Sequence, residues 1–427
     1  MLRTVTRDSL ARNSVLIMAS TVGTAGLGYL YWLLAARQLN QPSIGTATAL
    51  ISVSTVVSMV SNLGLGHMFI QRLPGAGVRE WSRIVSAGLL TGCVATAAVS
   101  FAAAAVLPSV AVNFAFLRSS SGVVALVVTS VALTATTLLD NVFVAHRASH
   151  GMFTRNLALA GGKLATLAAL TWAGYGGTAV VLLAWTLPSV AVTGYTLATM
   201  LGRLRPGARL TGSGLAPELR HVRGSLSGHH LINLAQAGPT ALLPVLVTAR
   251  LGAEANAHFY VAWMTASVLF MVSPAVASAL YAERTNAAAA GLGRASVVVL
   301  AVTGLPALVL FLAGERILGL FSAGYAAEGA MLLQILVLAA LPDAITNLAV
   351  AHWRSLGEFR RCLRLNLLMA TVCLTLTWLW LPGSGIEAAG IAWLVGQTTG
   401  ALVVAVRSLP NLAVVRSLSN RRKAPAG

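Results

Sequence analysis

The sequence predicts an all-α integral membrane protein with 12 transmembrane helices, arranged as two six-helix bundles about a pseudo-two-fold axis along the membrane normal. Three observations predict this fold: the composition, the length of the apolar segments, and short stretches of sequence that recur in the two halves of the chain. Of the 427 residues, 57% are hydrophobic and only 9% are charged, against about 25% charged residues in an average soluble domain. So few charges cannot cover a soluble surface of this size, which excludes most soluble enzymes and disordered or collagen-like chains.

The apolar segments have the length that a membrane-spanning helix requires, which is about 17–25 residues. Buried strands would be shorter and would alternate polar with apolar residues, so these segments are predicted to be helices. There are twelve of them, at 13–36, 43–66, 84–107, 122–145, 156–174, 178–202, 228–250, 256–282, 294–313, 326–351, 362–381 and 386–407.

The basic residues lie in short clusters between the apolar segments, although the net charge is +18. Twenty-four of them fall in loops on one side, and only Arg37, Arg118, Arg250 and Arg316 fall on the other. Because basic loops resist translocation, we expect a multi-pass protein of the bacterial inner (cytoplasmic) membrane with both termini cytoplasmic. Membrane lipid is then an expected partner. Nucleic acid is not expected, because the basic residues are scattered over short loops and do not form one patch.

The longest polar connection, a basic cytoplasmic linker at 203–227, divides the spans six and six. This division predicts an N-terminal bundle at 1–202, a C-terminal bundle at 228–407 and a cytoplasmic tail at 408–427. Three short stretches recur in the same order, which indicates a duplication. Copies with an even number of spans share their topology, which places the axis along the membrane normal. The pairs are Ala36-Arg37 with Ala249-Arg250, Met59-Val60-Ser61 with Met271-Val272-Ser273, and Ala145-His146-Arg147 with Ala351-His352-Trp353-Arg354.

Glycines and prolines inside the spans indicate close packing and hinges. The motifs Gly88-x-x-x-Gly92 and Gly396-x-x-x-Gly400 are typical of helices whose backbones approach closely. Prolines within or beside spans remove backbone hydrogen bonds and provide bends at which one half can rock against the other.

A family resemblance rests on short motifs spread over nearly all the spans. They are Ala36-Arg37-Gln38-Leu39 with Pro42 and Gly45, Gly64-Leu65-Gly66, Leu139-Asp140, Gly314 through Tyr325, Leu341-Pro342-Asp343, and Arg354 with Gly357. On these residues the chain resembles the multidrug/oligosaccharidyl-lipid/polysaccharide exporter superfamily, and within it the polysaccharide-biosynthesis branch, which flips lipid-linked oligosaccharides.

This resemblance implies a transporter that flips a polyprenyl-diphosphate-linked oligosaccharide, a precursor of cell-surface polysaccharide, from the cytoplasmic to the outer leaflet by alternating access. Its partners would be the lipid-linked glycan and, as candidates, glycosyltransferases or a polymerase. No arrangement of nucleophile, base or paired carboxylates is evident, so the protein is not expected to be an enzyme.

Ionisable side chains within spans are costly and are functional candidates by default. Asp140 and Lys163 fall at matched depth on consecutive spans, which predicts a salt bridge that either fastens the two helices or opens for a headgroup or a proton. Asp343 lies deeper without an evident cation, so it is a coupling candidate; alternatively, it caps a helix broken at Pro342. Asp140 and Asp343 are the predicted coupling residues, and whether a proton or Na⁺ is used stays open. No cofactor is predicted.

The predicted substrate-binding residues are of three kinds. Arg37 and Arg250, at equivalent points of the two halves, suit a diphosphate, or they simply extend to the outer interface. Lys163 is the cation inside a span. Polar residues could line a sugar path or bond across helices: Asn62, Asn141, Gln236 and Asn347, with His67, Asn233 and Gln397. No metal site is predicted, since the adjacent His229 and His230 point to different sides of a helix and lack a third ligand.

Two other functions stay open. A cation-coupled multidrug exporter would need an aromatic and carboxylate-lined cavity, whereas this chain is only 6% aromatic and has 11 acidic residues. A non-transporting membrane scaffold of a glycan-assembly complex would tolerate neutral replacements of Asp140, Lys163 and Asp343.

Overall fold

The computed structural model describes residues 22–213, 215, 218, 228–284 and 292–421, and within these ranges the chain is helical and contains no strand. The first part of the predicted first span, much of the linker and residues 422–427 lie outside them. Short 3-10 turns lie at Leu73–Gly75 and Val112–Arg118. The helices are α1 (22–38), α2 (Gln41–Ser61), α3 (Leu65–Arg72), α4 (Val78–Val110), α5 (Ser120–Ala145), α6 (Ser149–Trp172), α7 (Thr178–Leu204), α8 (Gly228–Leu251), α9 (Ala253–Arg284), α10 (Leu292–Gly319), α11 (Ala323–Ser355), α12 (Phe359–Ser384) and α13 (Glu387–Arg421).

Eight helices in the described part of the chain are long and apolar enough to cross a membrane. They are α2, α4, α5, α7, α8, α11, α12 and α13. The predicted all-helical, multi-pass membrane fold is therefore confirmed. Helices also lie at the other four predicted segments, and α13 continues to Arg421, beyond the expected end of the last span at 407.

The chain forms two compact units. Unit 1 extends through Tyr260 and includes Leu320–Ser322, and unit 2 comprises Val261–Gly319 and the chain from Ala323. Helix α8 thus packs with the preceding helices in unit 1. The predicted division into six-helix bundles at 1–202 and 228–407, with a linker at 203–227, stays a prediction.

Hydroxyl groups join the helices of unit 1. Thr134 of α5 donates its hydroxyl hydrogen to Ser58 of α2 at 2.9 Å, and the hydroxyls of Thr134 and Thr96 of α4 lie 2.8 Å apart. Thr129 and Thr186 make a similar 2.9 Å contact between α5 and α7. Since lipid offers no hydrophobic drive for helices to associate, such bonds and close packing hold them together.

The glycine motifs mark close helix contacts, as predicted. A Cβ at Gly88 would overlap the ring of Phe69, and one at Gly92 would lie 2.7 Å from Leu138. In unit 2, a Cβ at Gly396 would lie 3.1 Å from the carbonyl oxygen of Met369. Each site therefore admits only the smallest side chain.

Two parts of the family motif meet in unit 1. The Arg37 guanidinium donates from Nε to the carbonyl oxygen of Leu320 at 2.8 Å. About two helix turns earlier in α1, the ring of Tyr29 packs edge-on against Phe321 with centroids 5.2 Å apart. The motif residues near 36 and 320 thus attach the end of α1 to the connection between α10 and α11.

Gly45 lies where the start of α2 approaches the start of α9. A Cβ at Gly45 would overlap the backbone carbonyl of Ala253. The buried side chain of Asn256 bonds the same region, since its Nδ2 donates to the carbonyl oxygen of Gly45 at 3.0 Å and to the Thr48 hydroxyl at 2.9 Å. The contact explains why a glycine stands at this point of the motif.

Replacing Gly45 with alanine is expected to lower the thermal unfolding temperature of the purified protein, because an added methyl group forces the two backbones apart. Overpacking of this kind costs about 1–3 kcal/mol. The matched control is Gly26→Ala in α1, where nothing lies within 4 Å of the added carbon and alanine is the better helix former. Equal effects of the two substitutions would contradict the contact.

We call the end of unit 1 where α4 begins and α5 ends the basic end. At this end the linker lies against the start of α4. The backbone N–H groups of Arg209 and Thr211 donate to the hydroxyls of Ser82 and Ser86 at 3.1 and 2.8 Å. Arg205 donates to the carbonyl oxygen of Ala76 at 2.7 Å. The linker is therefore bonded to successive turns of one helix.

Two further polar contacts close the basic end. Arg72 pairs with the buried Glu218 of the linker at 2.7 Å and with Glu80 of α4 at 3.2 Å. The indole N–H of Trp81 donates to Nε2 of His146 at 2.7 Å. Burial and the charge of Arg205 lower the pKa of His146, which keeps its ring neutral and able to accept this bond.

Candidate transport cavities

A polar cavity of about 400 Å³, which we call the first chamber, lies among α2, α3, α5 and α8 within unit 1. Its volume lies in the range of ligand pockets, about 300–1,000 Å³. Ser58 and Thr137 also line it, and among the described residues no carboxylate, lysine or arginine does so. Its amide and imidazole side chains are Asn62, Asn141, Asn233, His67 and His230.

The turn between α2 and α3 shapes the first chamber. Gly64 has φ +77°, which lets α2 end at Ser61 and α3 begin at Leu65. The Oδ1 atom of Asn62 accepts from the N–H of Gly66 at 3.4 Å. A Cβ at Gly66 would lie 2.7 Å from Asn141, so the Gly64-Leu65-Gly66 motif leaves room for that amide.

Several donors and acceptors of the first chamber are held in place by the protein. Asn141 donates from Nδ2 to the carbonyl oxygen of Thr137 at 2.8 Å, which leaves its Oδ1 directed elsewhere. The amide of Asn233 lies 3.4 Å from Nε2 of His67. The chamber thus offers neutral groups of both kinds, donors and acceptors, with no net charge when the histidines are neutral.

A smaller cavity of about 260 Å³, the second chamber, lies on the other side of α5. Tyr31, Asp140, Asn156, Lys163 and Trp185 line it. The two chambers share a wall, since Thr137 and Asn141 of α5 face the first and their neighbours Thr136 and Asp140 face the second. The second chamber is charged where the first is neutral.

Asp140 pairs with Arg155, and the predicted salt bridge between Asp140 and Lys163 is wrong. Oδ1 of Asp140 accepts from Nη1 of Arg155 at 2.6 Å and from the amide of Asn156 at 3.3 Å. Nη2 of Arg155 also donates to the carbonyl oxygen of Thr136 at 3.0 Å. Because α6 already begins at Ser149, Arg155 lies in its second turn and not in the loop where the sequence suggests it.

Lys163 lies against an aromatic cluster. Its ammonium nitrogen is 3.4 Å from the centroid of the Trp185 ring, a geometry that stabilises a cation through the ring quadrupole. Tyr31 and Trp32 pack on the same indole with centroids 5.6 and 5.8 Å away, and the Tyr31 hydroxyl donates to the carbonyl oxygen of Val181 at 2.9 Å. Lys163 makes no ion pair with any described residue.

Asp343 is buried in unit 2, and α11 runs through Pro342 without a break. The idea that Asp343 caps a broken helix is therefore wrong. Its Oδ2 accepts from the amide of Asn347, one turn later, at 2.9 Å. Beside this pair, the Thr346 hydroxyl donates to Gln397 of α13 at 3.0 Å. No described cation pairs with Asp343.

The remaining predicted residues lie away from both chambers. Arg37 and Arg250 are exposed in the last turns of α1 and α8, and Gln236 is half-buried on α8. None of the three lines a chamber. Among the described residues, no group of three or more His, Cys, Asp or Glu side chains could hold a metal ion.

Sequence reasoning missed three contributors to the chambers. A prediction that α6 begins at Ser149 would have placed Arg155 inside the helix. The signal for Trp185 is its position in the middle of a span, three residues before Pro188. His230 was considered only as a metal ligand, yet it lies buried against the first chamber.

These features define an all-helical, multi-pass membrane fold with polar cavities between its helices. No family model and no curated protein sequence matches the chain.

Solved structures with a similar fold are transporters. A lipid II flippase, MurJ, in an inward closed conformation is 12% identical over 92% of this chain and 87% of that chain, with a TM-score of 0.72. An inward-facing multidrug resistance MATE family transporter is 14% identical over 95% and 99%, with a TM-score of 0.62. A transporter from Pyrococcus furiosus is 12% identical over 96% of both chains, with a TM-score of 0.56.

The last two are described as members of the MOP superfamily, which is the multidrug/oligosaccharidyl-lipid/polysaccharide exporter superfamily that the sequence motifs indicate. At these identities the likeness shows the fold. The predicted resemblance is thus confirmed for the superfamily fold.

Neutralising one partner of the Asp140–Arg155 pair is expected to destabilise unit 1 strongly. Removing one partner of a fully buried ion pair costs about 3–5 kcal/mol. The loss should be largest for Asp140→Asn, which leaves the fully buried Arg155 unpaired, and smaller for Arg155→Gln, because the side chain of Asp140 is 33% exposed. Asp140→Asn and Arg155→Gln should each lower the unfolding temperature in detergent, and the double variant should recover part of the loss.

Lys163→Gln is the matched control, since Lys163 lines the same chamber and lies on the same helix as Arg155. It should cost much less than either partner of the pair. Equal destabilisation by Asp140→Asn and Lys163→Gln, or strictly additive losses in the double variant, would contradict the pairing.

Proposed function

We propose that the protein is a flippase that moves a polyprenyl-diphosphate-linked oligosaccharide, a precursor of cell-surface polysaccharide, from the cytoplasmic to the outer leaflet by alternating access. It works in the bacterial inner membrane, with both termini cytoplasmic and with its 12 helices in two bundles. Glycosyltransferases or a polymerase supply and consume its substrate.

The observation that carries this proposal is the lining of the first chamber. Five amide and imidazole side chains, with hydroxyl-bearing residues beside them, surround about 400 Å³, and no carboxylate, lysine or arginine of the described part of the chain lines it. Sugars present many hydroxyls that both donate and accept hydrogen bonds, and a few placed polar groups in a cleft give a ligand its orientation. The chamber therefore suits the glycan part of a lipid-linked substrate.

The position of the first chamber supports entry from the basic end. Asn62 follows the last residue of α2, and Asn233 lies in the second turn of α8, close to the linker with its arginines. Basic residues near a membrane surface gather anionic headgroups, and a diphosphate is such a group. The superfamily fold, shared with a lipid II flippase, agrees with a lipid-linked substrate.

The second chamber favours one other function, the cation-coupled multidrug exporter. That function needs aromatic and carboxylate-lined space, and Trp185, Tyr31 and Asp140 line the second chamber together. A fold shared with multidrug transporters supports it as well. Against it, Arg155 already holds Asp140, and Lys163 beside it would repel a cationic drug.

Replacing Asn62 and Asn141 with leucine is expected to slow flipping. The purified protein is reconstituted into vesicles with a fluorescent polyprenyl-diphosphate oligosaccharide, and its leaflet distribution is followed with a membrane-impermeant quencher. Each lost hydrogen bond is worth about 0.5–1.5 kcal/mol, so the double variant should flip about fivefold to a hundredfold more slowly.

Gln236→Leu is the control, because Gln236 lies on α8, one turn beyond the chamber residue Asn233, but does not line the chamber. It should flip at the normal rate. An unchanged leaflet distribution with the normal protein would reject the flippase and favour the scaffold. Extrusion of lipophilic cations, lost in Trp185→Leu, would favour the drug exporter.

Asp343 is proposed to couple transport to a proton or Na⁺ gradient, because it is a buried carboxylate with an amide and not a cation beside it. Asp343→Asn should abolish the dependence of flipping on the gradient while flipping down the substrate gradient continues. Asn347→Ala, which removes the amide partner, should alter that dependence without abolishing it. A gradient dependence unchanged in Asp343→Asn would exclude coupling at this residue.

A further inference from the structure

A third cavity of unit 1, which neither chamber includes, is a groove of about 460 Å³ between α4, α5, α7 and the linker. Its walls are almost entirely apolar. They comprise Leu89, Leu90 and Cys93 of α4, Leu197 of α7, and Leu210 and Leu215 of the linker. Apolar walls of this kind suit hydrocarbon and not a sugar.

The groove runs along α4 within the membrane-spanning part of the helix. From Ser86 to Cys93 it covers seven residues, which is about 10 Å at 1.5 Å per residue. Leu90 and Leu210 on its walls remain about half exposed, at 51% and 47%. In a bilayer the groove therefore opens sideways towards lipid chains.

Two arginines stand where the groove begins at the basic end. Arg83 lies three residues before Ser86, so both project from the same face of α4. Arg209 precedes Leu210 of the groove wall, and its backbone N–H is bonded to Ser82. Both arginines are thus close in sequence to residues that line the groove, Arg83 to Ser86 and Arg209 to Leu210.

Unlike the nearby Arg72, these two arginines have no acidic partner among the described residues. Arg72 uses Glu80 and Glu218, whereas neither Arg83 nor Arg209 forms an ion pair with any described residue. The Nε of Arg83 is also buried without an acceptor. A buried donor without a partner is costly, so an anion from outside the chain would complete this site.

We propose that the groove is a binding site for one anionic membrane phospholipid, with an acyl chain along α4 and the phosphate on Arg83 and Arg209. Forked guanidinium groups match the geometry of a phosphate, and basic pockets between membrane helices bind such headgroups. The volume fits one hydrocarbon chain, whereas a polyprenyl chain is several times longer. The bound lipid fixes the linker against α4, a role that does not depend on which substrate the protein carries.

The test is retention of phosphatidylglycerol against phosphatidylcholine with the same chains, measured by native mass spectrometry on the full-length protein in detergent. The normal protein should retain phosphatidylglycerol at least fivefold more strongly. Arg83→Gln with Arg209→Gln should remove that preference. Arg360→Gln, which removes an exposed charge at the start of α12 in unit 2, should keep it.

Cys93 provides a second readout that locates the lipid. It lines the groove and is partly exposed, whereas Cys362 and Cys373 are buried, so a small maleimide should react first at Cys93. Phosphatidylglycerol should slow this reaction several-fold, and phosphatidylcholine should not. Cys93→Ser gives the background, and the arginine double variant should react at the unprotected rate, which shows that its groove is intact.

Equal retention of both lipids, or a Cys93 reaction that phosphatidylglycerol does not slow, would overturn the site. Displacement of phosphatidylglycerol from Cys93 by a polyprenyl phosphate at equal concentration would also overturn it, because the groove would then belong to the substrate.

Discussion

The buried ion pair between Asp140 and Arg155 is the interaction on which the arrangement of unit 1 depends. A charge inside the membrane is tolerated only when a partner or water compensates it. The side chain of Arg155 is fully buried, whereas that of Asp140 is 33% exposed to the second chamber. This asymmetry fixes α6 against α5 and leaves one carboxylate edge open to the cavity.

The position of that pair determines what lies on each face of α5. The helix is the common wall of a neutral chamber and a charged one. Thr137 and Asn141 line the neutral chamber, and the residues directly before them, Thr136 and Asp140, line the charged one. Lys163 lies over the ring of Trp185. It remains a cation lining the second chamber, because Asp140 pairs with Arg155. A ligand with hydroxyls suits the first chamber, and one with an anionic group suits the second.

The sequence predicted the helical membrane fold well, because apolar segments of spanning length have few alternatives in a bilayer. It also predicted the close approach at Gly88, Gly92 and Gly396, since those positions lie on one face of a helix by spacing alone. The prediction failed where the depth of a side chain within the membrane had to be judged from the predicted ends of its helix. An error of seven residues at the start of α6 moved Arg155 into a loop and gave Asp140 the wrong partner.

Side-chain partners across sequence-distant helices were also beyond sequence reasoning. Asn62 and Asn141 were predicted as lining residues and do line one chamber, while Gln236, of the same chemical type, faces elsewhere. The difference lies in the rotation of each helix about its own axis, which nearest-neighbour packing sets and composition does not encode. For the same reason the aromatic cluster around Trp185 could not be foreseen from an aromatic content of 6%.

The account depends most on a first chamber that is reached by water and by substrate. Single cysteines placed at 62 and 141, in a chain whose own three cysteines are replaced, test this directly with a membrane-impermeant thiol reagent. Both positions should react from the cytoplasmic side, and a saturating lipid-linked oligosaccharide should slow the reaction several-fold. A cysteine at 236 should show no such protection. Failure of the reagent to reach 62 and 141, or equal rates with and without the glycan, would contradict the central claim.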